Sequence, residues 1–509
     1  MPHVWNHKRA ADHIESKLDD VSVVTIKTYA RELSLENIPV SAAYRVQGVH
    51  IYADITNLEE MLHVTDQEGE TCHKRTLRFL NMHFRAVARV LAKCDARRVD
   101  FANQRLHGLV TKPYDGEETS EADRVHRAVA IAQLITDVLD ETGDDDAHIP
   151  DAKVRIGIDS GEALAVNNGR RGGREPLFLG CPANVAAKFA ARSKRAGIYL
   201  TNNARQAIGL ESCASPEMTA LTPAEIEASE DVAALSVTAD DIVKQWRDDL
   251  EVNPIGSFAF ARHTPPLRTL DITALTPGNS RRQEAISIFA DLDGFSDYVA
   301  RHIDDNPQQI VQALHVIRAE LDRVLSKEFD GRRIRFIGDC VHGLMCEGTA
   351  HTTDDEASVS DAVLCAGALR SSFNLALEKL EAGGVDIEGL GLAIGFEFGP
   401  MTVSRLGLKG DRVRVSVSRG VLTSEREQRR CEGNETAIGS LASDAGSQAV
   451  RDLFGSKRIV ADLDYTEAVE ALADKDQTAK AARQAAYAHA PPAIAASAAV
   501  VIKPYCERC

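Results

Sequence analysis

Three short blocks occur twice in this chain, in the same order and at nearly the same separation. His50-Ile51-Tyr52-Ala53-Asp54 matches Ser287-Ile288-Phe289-Ala290-Asp291, and Arg105-Leu106-His107-Gly108-Leu109 matches Cys340-Val341-His342-Gly343-Leu344. The third block, Arg155 to Gly161, matches Leu392 to Gly399. One such match arises easily by chance; three in register do not. The chain therefore reads as two copies of one unit. Apolar strand-like runs alternate with helical patterns, which gives an α/β (α+β) class with helices on a mostly antiparallel sheet. At 509 residues the chain is also too long for one ordinary core.

The order of elements supports the same division. Residues 1–45 read as a helical and turn-like segment, with a helix expected over 15–31. The first copy spans 46–262: a strand at 46–55, a helix at 71–94, a hairpin around Asn103-Gln104, a helix at 121–139, a strand at 154–166 and a helix at 184–192. The Arg170-Arg171 pair reads as a solvated loop. The acidic, Ala-rich stretch 210–250 reads as surface helices. His263-Thr264-Pro265-Pro266 and Pro277-Gly278-Asn279 mark a linker at 263–284. The second copy, 285–509, repeats the pattern, with a last strand expected at 499–503.

Charge and composition exclude some partners. A net charge of -17 argues against a grip on nucleic-acid phosphates or anionic lipid. The first ten residues lack an apolar leader core, and no apolar run reaches bilayer length. Ten Cys, scattered apart from Cys506 and Cys509 in the tail and with no second close pair upstream, fit a reduced, cytoplasmic chain.

The chemistry concentrates in the second copy. Asp291 closes a buried strand before Gly294-Phe295-Ser296, and Asp339 follows Gly338 at a hairpin. Asp291 could simply cap the next helix. If the two strands are neighbours, however, the two carboxylates meet at one sheet edge and suit Mg²⁺ or Mn²⁺. The N–H groups of Gly294, Phe295 and Ser296, at the helix start, can hold phosphate.

Phe289 to Ser296, Phe336-Ile337-Gly338-Asp339 and Ala393 to Pro400 together resemble the catalytic domain of class III nucleotidyl cyclases. The resemblance covers both copies. It implies two tandem ferredoxin-like βαββαβ domains that pair head to tail as an intramolecular pseudo-heterodimer, with the active site between them. It implies two divalent cations on Asp291, Asp339 and the backbone carbonyl of Leu292. It also implies an Asn that orients the ribose and, four residues on, a cation for the transition-state phosphate. Asn184 and Lys188 in Leu179 to Lys188 match that pair, with Lys where Arg is usual. The plainer readings are a helix cap for Asn184 and a solvated charge for Lys188. Arg405, Lys409 or Arg412 stand in the loop where the family places a phosphate-binding Arg.

The losses are complementary. The first copy keeps Asp54 but has Gln104 in place of the second acid; the second has Glu425 in the place of the cation. One composite site fits this better than two damaged ones. A degenerate pair that only senses nucleotide is the non-enzymatic alternative.

At the positions where the family's adenylate cyclases read adenine, Asp100 and Leu177 stand. A carboxylate accepts from N3–H of uracil or N1–H and N2–H of guanine, so Asp100 favours UTP or GTP over ATP or CTP. The runs Gly48 to Asp54, Val99-Asp100-Phe101 and Arg105-Leu106-His107 further resemble the pyrimidine cyclases of bacterial Pycsar anti-phage systems. That resemblance implies UTP as substrate and cyclic UMP as a messenger for a separate effector, reached through the product rather than by contact. Guanylate, cytidylate or adenylate cyclases in ordinary signalling are the alternatives. Two such chains could also associate as a homodimer.

Overall fold

The computed structural model describes residues 3–114, 121–142, 149–168, 176–410, 412–473 and 479–484. The Arg170-Arg171 loop and the strand expected at 499–503 lie outside them.

Helix α1 (His7–Asp20) opens the chain, followed by a short strand, Thr25–Thr28. The helix expected over 15–31 thus starts and stops earlier. Asn6 caps it by accepting from the Arg9 N–H, and the β-branched run from Val23 to Thr28 favours a strand over continued helix.

The first half then runs β1 (Ala42–Ile55), α2 (Glu70–Lys93), β2 (Arg97–Ala102), β3 (Arg105–Val110), α3 (Glu121–Glu141), β4 (Val154–Val166) and α4 (Cys181–Ala191). Its sheet orders β2-β3-β1-β4, with Leu177–Leu179 paired beside β4. The second half repeats this with β5 (Ser280–Asp293), α5 (Phe295–His302), α6 (Pro307–Arg323), β6 (Arg332–Ile337), β7 (Cys340–Met345), α7 (Asp355–Ala382), β8 (Gly391–Leu406) and α8 (Arg419–Arg429). Its order is β6-β7-β5-β8.

Equivalent side chains repeat the same packing. Tyr52 stacks on His107 at 4.1 Å between ring centres, and Phe289 stacks on His342 at 4.2 Å. The glycine of the third repeated block has a packing reason. A Cβ on Gly157 would lie 2.2 Å from the Ala186 carbonyl oxygen in α4, and one on Gly395 would lie 2.1 Å from the Gln428 nitrogen in α8. In both halves a helix crosses the sheet where only hydrogen fits. Gly157→Ala should therefore push α4 off the sheet, lowering stability by about 1–3 kcal/mol. A thermal melt checks this, and turnover should fall with it because α4 carries Asn184.

The halves share their cores. Leu164, Val166 and Leu179 from the first half are buried in the main core of the second. Leu406, Val413, Val415 and Val417 from the second are buried in the core of the first. Each fully buried aliphatic side chain is worth roughly 1.5–3 kcal/mol over exposure, so this exchange fixes the halves against each other. Helix α1 belongs to the second half in space: Trp5 Nε1 donates to Ser372 Oγ (2.7 Å), and His13 Nδ1 meets Glu320 at 2.5 Å. The stretch expected as a linker is packed chain, with Leu267, Leu270, Ile272 and Leu275 buried beside β5, β6 and β8. The expected surface helices at 210–250 form two helices, Pro223–Ala233 and Ala239–Val252. The second is amphipathic rather than wholly exposed and buries Ile242, Val243 and Trp246.

Candidate active site

The register between β5 and β7 places Ala290 opposite Val341, so the end of β5 meets the β6–β7 hairpin. Asp291 sits on that strand end and Asp339 on the turn, after Gly338 at φ 62°. The Asp339 carboxylate accepts from its own backbone N–H and from that of Leu292. Asp291 accepts from Gln428 Nε2 (3.2 Å) and from the Cys340 thiol. Asp291 is not a helix cap. The cap position of α5 is Gly294, which has no side-chain capping bond.

Burial pushes the Asp291 carboxyl up to about 6. Burial, and then the charge of Asp291, pushes Asp339 well above the usual carboxylate range. Two neighbouring acids, both raised by burial, form a hard oxygen set, which fits a divalent cation. The sign of the pH dependence follows. A cation must displace a proton from Asp291 below about pH 6, and the raised Asp339 adds to that competition. The rise in melting temperature caused by Mn²⁺ should therefore be large at pH 7.5 and fade below about pH 6, as differential scanning calorimetry would read.

The opposite wall comes from the first half. Helix α4 starts at Cys181 with Gly180 as its cap, which leaves Asn184 inside the first turns rather than at the cap position. Asn184 Nδ2 instead donates to Ser296 Oγ across the two halves, at 3.2 Å. Lys188 lies one turn further along the same face. It is exposed and makes no ion pair among the described residues.

Between these walls Gly294 adopts φ 74°, and a Cβ there would lie 2.0 Å from the Gly389 carbonyl oxygen. Glycine is required, and the turn leaves the first N–H groups of α5, at Phe295 and Ser296, for an anion.

Arg405 and Lys409 do not join this site. Ala393 is the residue opposite Asp291, and Arg405 lies twelve residues further along β8. That is about 40 Å of strand. Arg405 donates to the carbonyls of Thr273 (2.5 Å) and Arg412 (3.0 Å). The arm that carries Arg405, Lys409 and Arg412 packs on the first half, where Asn81 Oδ1 accepts from the Gly407 N–H. The family resemblance pointed to these residues, but β8 carries them to the far end of the sheet.

Asp100 is not a lone acceptor. Its Oδ1 accepts from Arg335 Nη2 (2.6 Å) and from the Phe101 N–H (2.8 Å). The Arg335 side chain is fully buried and that of Asp100 is 27% exposed. Leu177 packs its side chain against the core of the second half.

The counterpart of the acid pair is closed by an internal cation. Arg105 occupies the position equivalent to Cys340 and faces Asp54 (3.5 Å) and Glu425 (2.7 Å). Glu425 also pairs with Arg429 at 2.7 Å. Gln104 supplies no second acid. The guanidinium thus bridges the surviving acid of one half to the acid that replaced the cation of the other. The cavity beside it measures about 280 Å³.

Arg105, Arg335 and Gln428 were not singled out from the sequence. A signal existed for Arg105, a charge where the repeated block has Cys340. None existed for Gln428, whose role depends on how α8 crosses the sheet.

The family model of the adenylate and guanylate cyclase catalytic domain matches residues 279–428, which lie in the second half. A uridylate cyclase of Pseudomonas aeruginosa is 62% identical over 489 residues, 96% of this chain and 95% of that protein. A uridylate cyclase of Rhizobium sp. is 40% identical over 435 residues, 82% of each chain. A crystal structure described as a class III adenylyl cyclase-like ATP-binding protein from Pseudomonas aeruginosa superimposes with a TM-score of 0.91 at 62% identity. It covers 93% of this chain and all of the other.

Proposed function

We propose a reaction from the premise that this chain belongs to the uridylate cyclases, a branch of the class III nucleotidyl cyclase family. It converts UTP to 3′,5′-cyclic UMP and pyrophosphate, by attack of the ribose 3′-hydroxyl on the α-phosphate. The observation that carries the composite reading is the Asn184–Ser296 hydrogen bond. It ties the helix of the first half to the anion-binding turn of the second, next to Asp291.

Class III cyclase domains work with divalent metals. Here we assign two, Mn²⁺ or Mg²⁺, to Asp291, Asp339 and the Leu292 carbonyl. Bound there, they would lower the pKa of the hydroxyl and offset triphosphate charge. The chain's own groups do the rest. Asn184 orients the ribose through its amide, and the N–H groups of Phe295 and Ser296 hold phosphate oxygens. The Lys188 ammonium offsets charge on the five-coordinate phosphorus as a point charge, without the bidentate fork of an Arg. Asp100 accepts from uracil N3–H, with buried Arg335 as its positioning residue, and Leu177 offers adenine no acceptor.

The nucleotide panel tests this reading. With Mn²⁺ and each of the four nucleoside triphosphates, mass spectrometry should find cyclic UMP as the dominant product. Asp100→Ala should cut the UTP-over-ATP preference by about tenfold or more, the worth of one lost hydrogen bond to a charged group. Cyclic AMP as the main product, in keeping with the name of the solved relative, would refute the assignment of UTP.

Among the described residues no helix is long and apolar enough to cross a membrane. We place the enzyme in the cytoplasm, where cyclic UMP would act on a separate effector in anti-phage defence, as the Pycsar resemblance implies.

A further inference from the structure

A cavity between α1, the end of β4 and the α6–β6 region has none of the proposed catalytic residues in its lining. It measures about 640 Å³, a volume that holds a nucleotide. None of Asp291, Asp339, Asn184, Lys188, Gly294, Phe295 or Ser296 lines it. Three parts of the chain meet there: α1 through Lys17, the end of β4 through Val166 and Asn167, and the α6–β6 region through Arg318 and Phe336.

Its charge is opposite to that of the molecule. Five cations line it, Lys17, Arg318, Arg323, Lys327 and Arg333, against two acids, Asp20 and Asp322. Both acids are already paired, Asp20 with Lys17 and Asp322 with Arg333, each at 2.6 Å. The lining therefore carries three more cations than acids, in a chain whose net charge is -17. Like charges gathered in a concave site raise its potential, and an anion relieves it. Arg323 Nε is buried and has no acceptor among the described residues. The guanidinium carbons of Arg318 and Arg333 lie 3.8 and 4.2 Å from the centre of the Phe336 ring, which holds both side chains beside the wall. Val166, Val311 and Leu314 give the cavity an apolar side that suits a ring or a ribose. A bare phosphate would leave that side unfilled.

We propose that this cavity is a second nucleotide site, one that binds a phosphate-bearing nucleoside without being the site of cyclisation. It stands apart from the choice of substrate base and needs no divalent cation, because its charge comes from Lys and Arg. Phe336 is three residues before Asp339 on the same hairpin, so occupancy is felt next to the metal ligands.

Isothermal titration of the full chain in EDTA tests this, with UMP, cyclic UMP and inorganic tripolyphosphate as probes. UMP or cyclic UMP should bind, and which one does distinguishes a substrate-derived ligand from a product. Arg323→Glu with Lys327→Glu should weaken that binding by about tenfold or more. The KM for UTP should change less than twofold. Asn184→Ala should leave the EDTA-resistant binding intact. Lys327 is exposed, so Lys327→Glu alone tests the same charge with no folding cost and should weaken binding in the same direction. The proposal is overturned if none of the probes binds, or if tripolyphosphate binds while both nucleotides do not. It is overturned equally if binding is lost in Asn184→Ala but kept in the charge-reversed variants, since that is the substrate site. Failure of UTP cyclisation in the nucleotide panel would overturn the functional reading and leave this site untouched.

Discussion

Asp339→Asn should lower turnover by about a thousandfold or more and at the same time raise the melting temperature of the metal-free protein. The two effects share one cause. Burial raises Asp291 and Asp339, and the charge of Asp291 raises Asp339 further, so ionising the pair costs the metal-free fold. The sign is that of a carboxyl raised in the folded state: its cost is present above the folded pKa and relieved as pH falls through it. Asn keeps the shape and removes the titrating group, so the metal-free melting temperature should rise. Loss of a metal-holding carboxylate forfeits several kcal/mol of charge stabilisation in the reaction, and about 4 kcal/mol corresponds to the thousandfold. Asp291→Asn should behave alike, with a smaller thermal gain because its carboxyl also accepts from Gln428 and Cys340. Acids kept only for structure would show the reverse, a lower melting temperature with activity nearly unchanged. Calorimetry in EDTA and initial rates with Mn²⁺ separate the two cases.

Arg105→Ala should carry the largest stability loss of any single substitution in the counterpart site, about 3 kcal/mol at pH 7.5. The change leaves Asp54 and Glu425 facing each other across the halves, with Arg429 still paired to Glu425. Their side chains are 14% and 18% exposed, which keeps the loss at the lower end for a broken buried pair. Burial already holds the Asp54 carboxyl at about 6 beside Arg105. Without that guanidinium it rises further, so Asp54 takes up a proton and the loss shrinks as pH falls from 7.5 to 5.5. Glu425→Gln in the Arg105→Ala background should recover part of the loss by removing the stranded charge. Chemical denaturation at the two pH values measures both. Turnover at a temperature where the variant stays folded should change only a few-fold, because Arg105 belongs to the other site.

Much of this architecture is legible in the chain, because the repeat constrains it. The strand at 154–166, a mostly apolar run buried along nearly its whole length, and the hairpin at Asn103-Gln104, whose turn accepts Asn103 at φ 55°, fall where the sequence places them. The acid pair at Asp291 and Asp339, and the helix that carries Asn184, follow from motif order. What the sequence does not show is the consequence of the exchange between halves. The Arg405 loop stands where the family resemblance implies a phosphate-binding Arg, yet β8 carries it about 40 Å away and into the other core. Asp100 reads as a free acceptor, yet Arg335 comes from a strand 235 residues away to hold it. Contacts between halves have no local signature, since neither periodicity nor spacing encodes which copy's arm lies against which helix. The linker at 263–284 misled for a related reason: its Pro and Gly mark turns, and only the fold shows its four Leu/Ile side chains buried between them.

The central claim is one active site per chain, with its acids in one half and its Asn–Lys pair in the other. Cyclic-nucleotide formation by Asp339→Asn and Lys188→Ala, each alone and then mixed in equal amounts, tests it most directly. Each variant should lose about a hundredfold or more, the cost of removing one group aimed at transition-state charge, and the mixture should be no faster than the sum of its parts. Recovery of turnover on mixing would place the two walls in different chains, and full turnover by either variant alone would mean that the composite site does not exist.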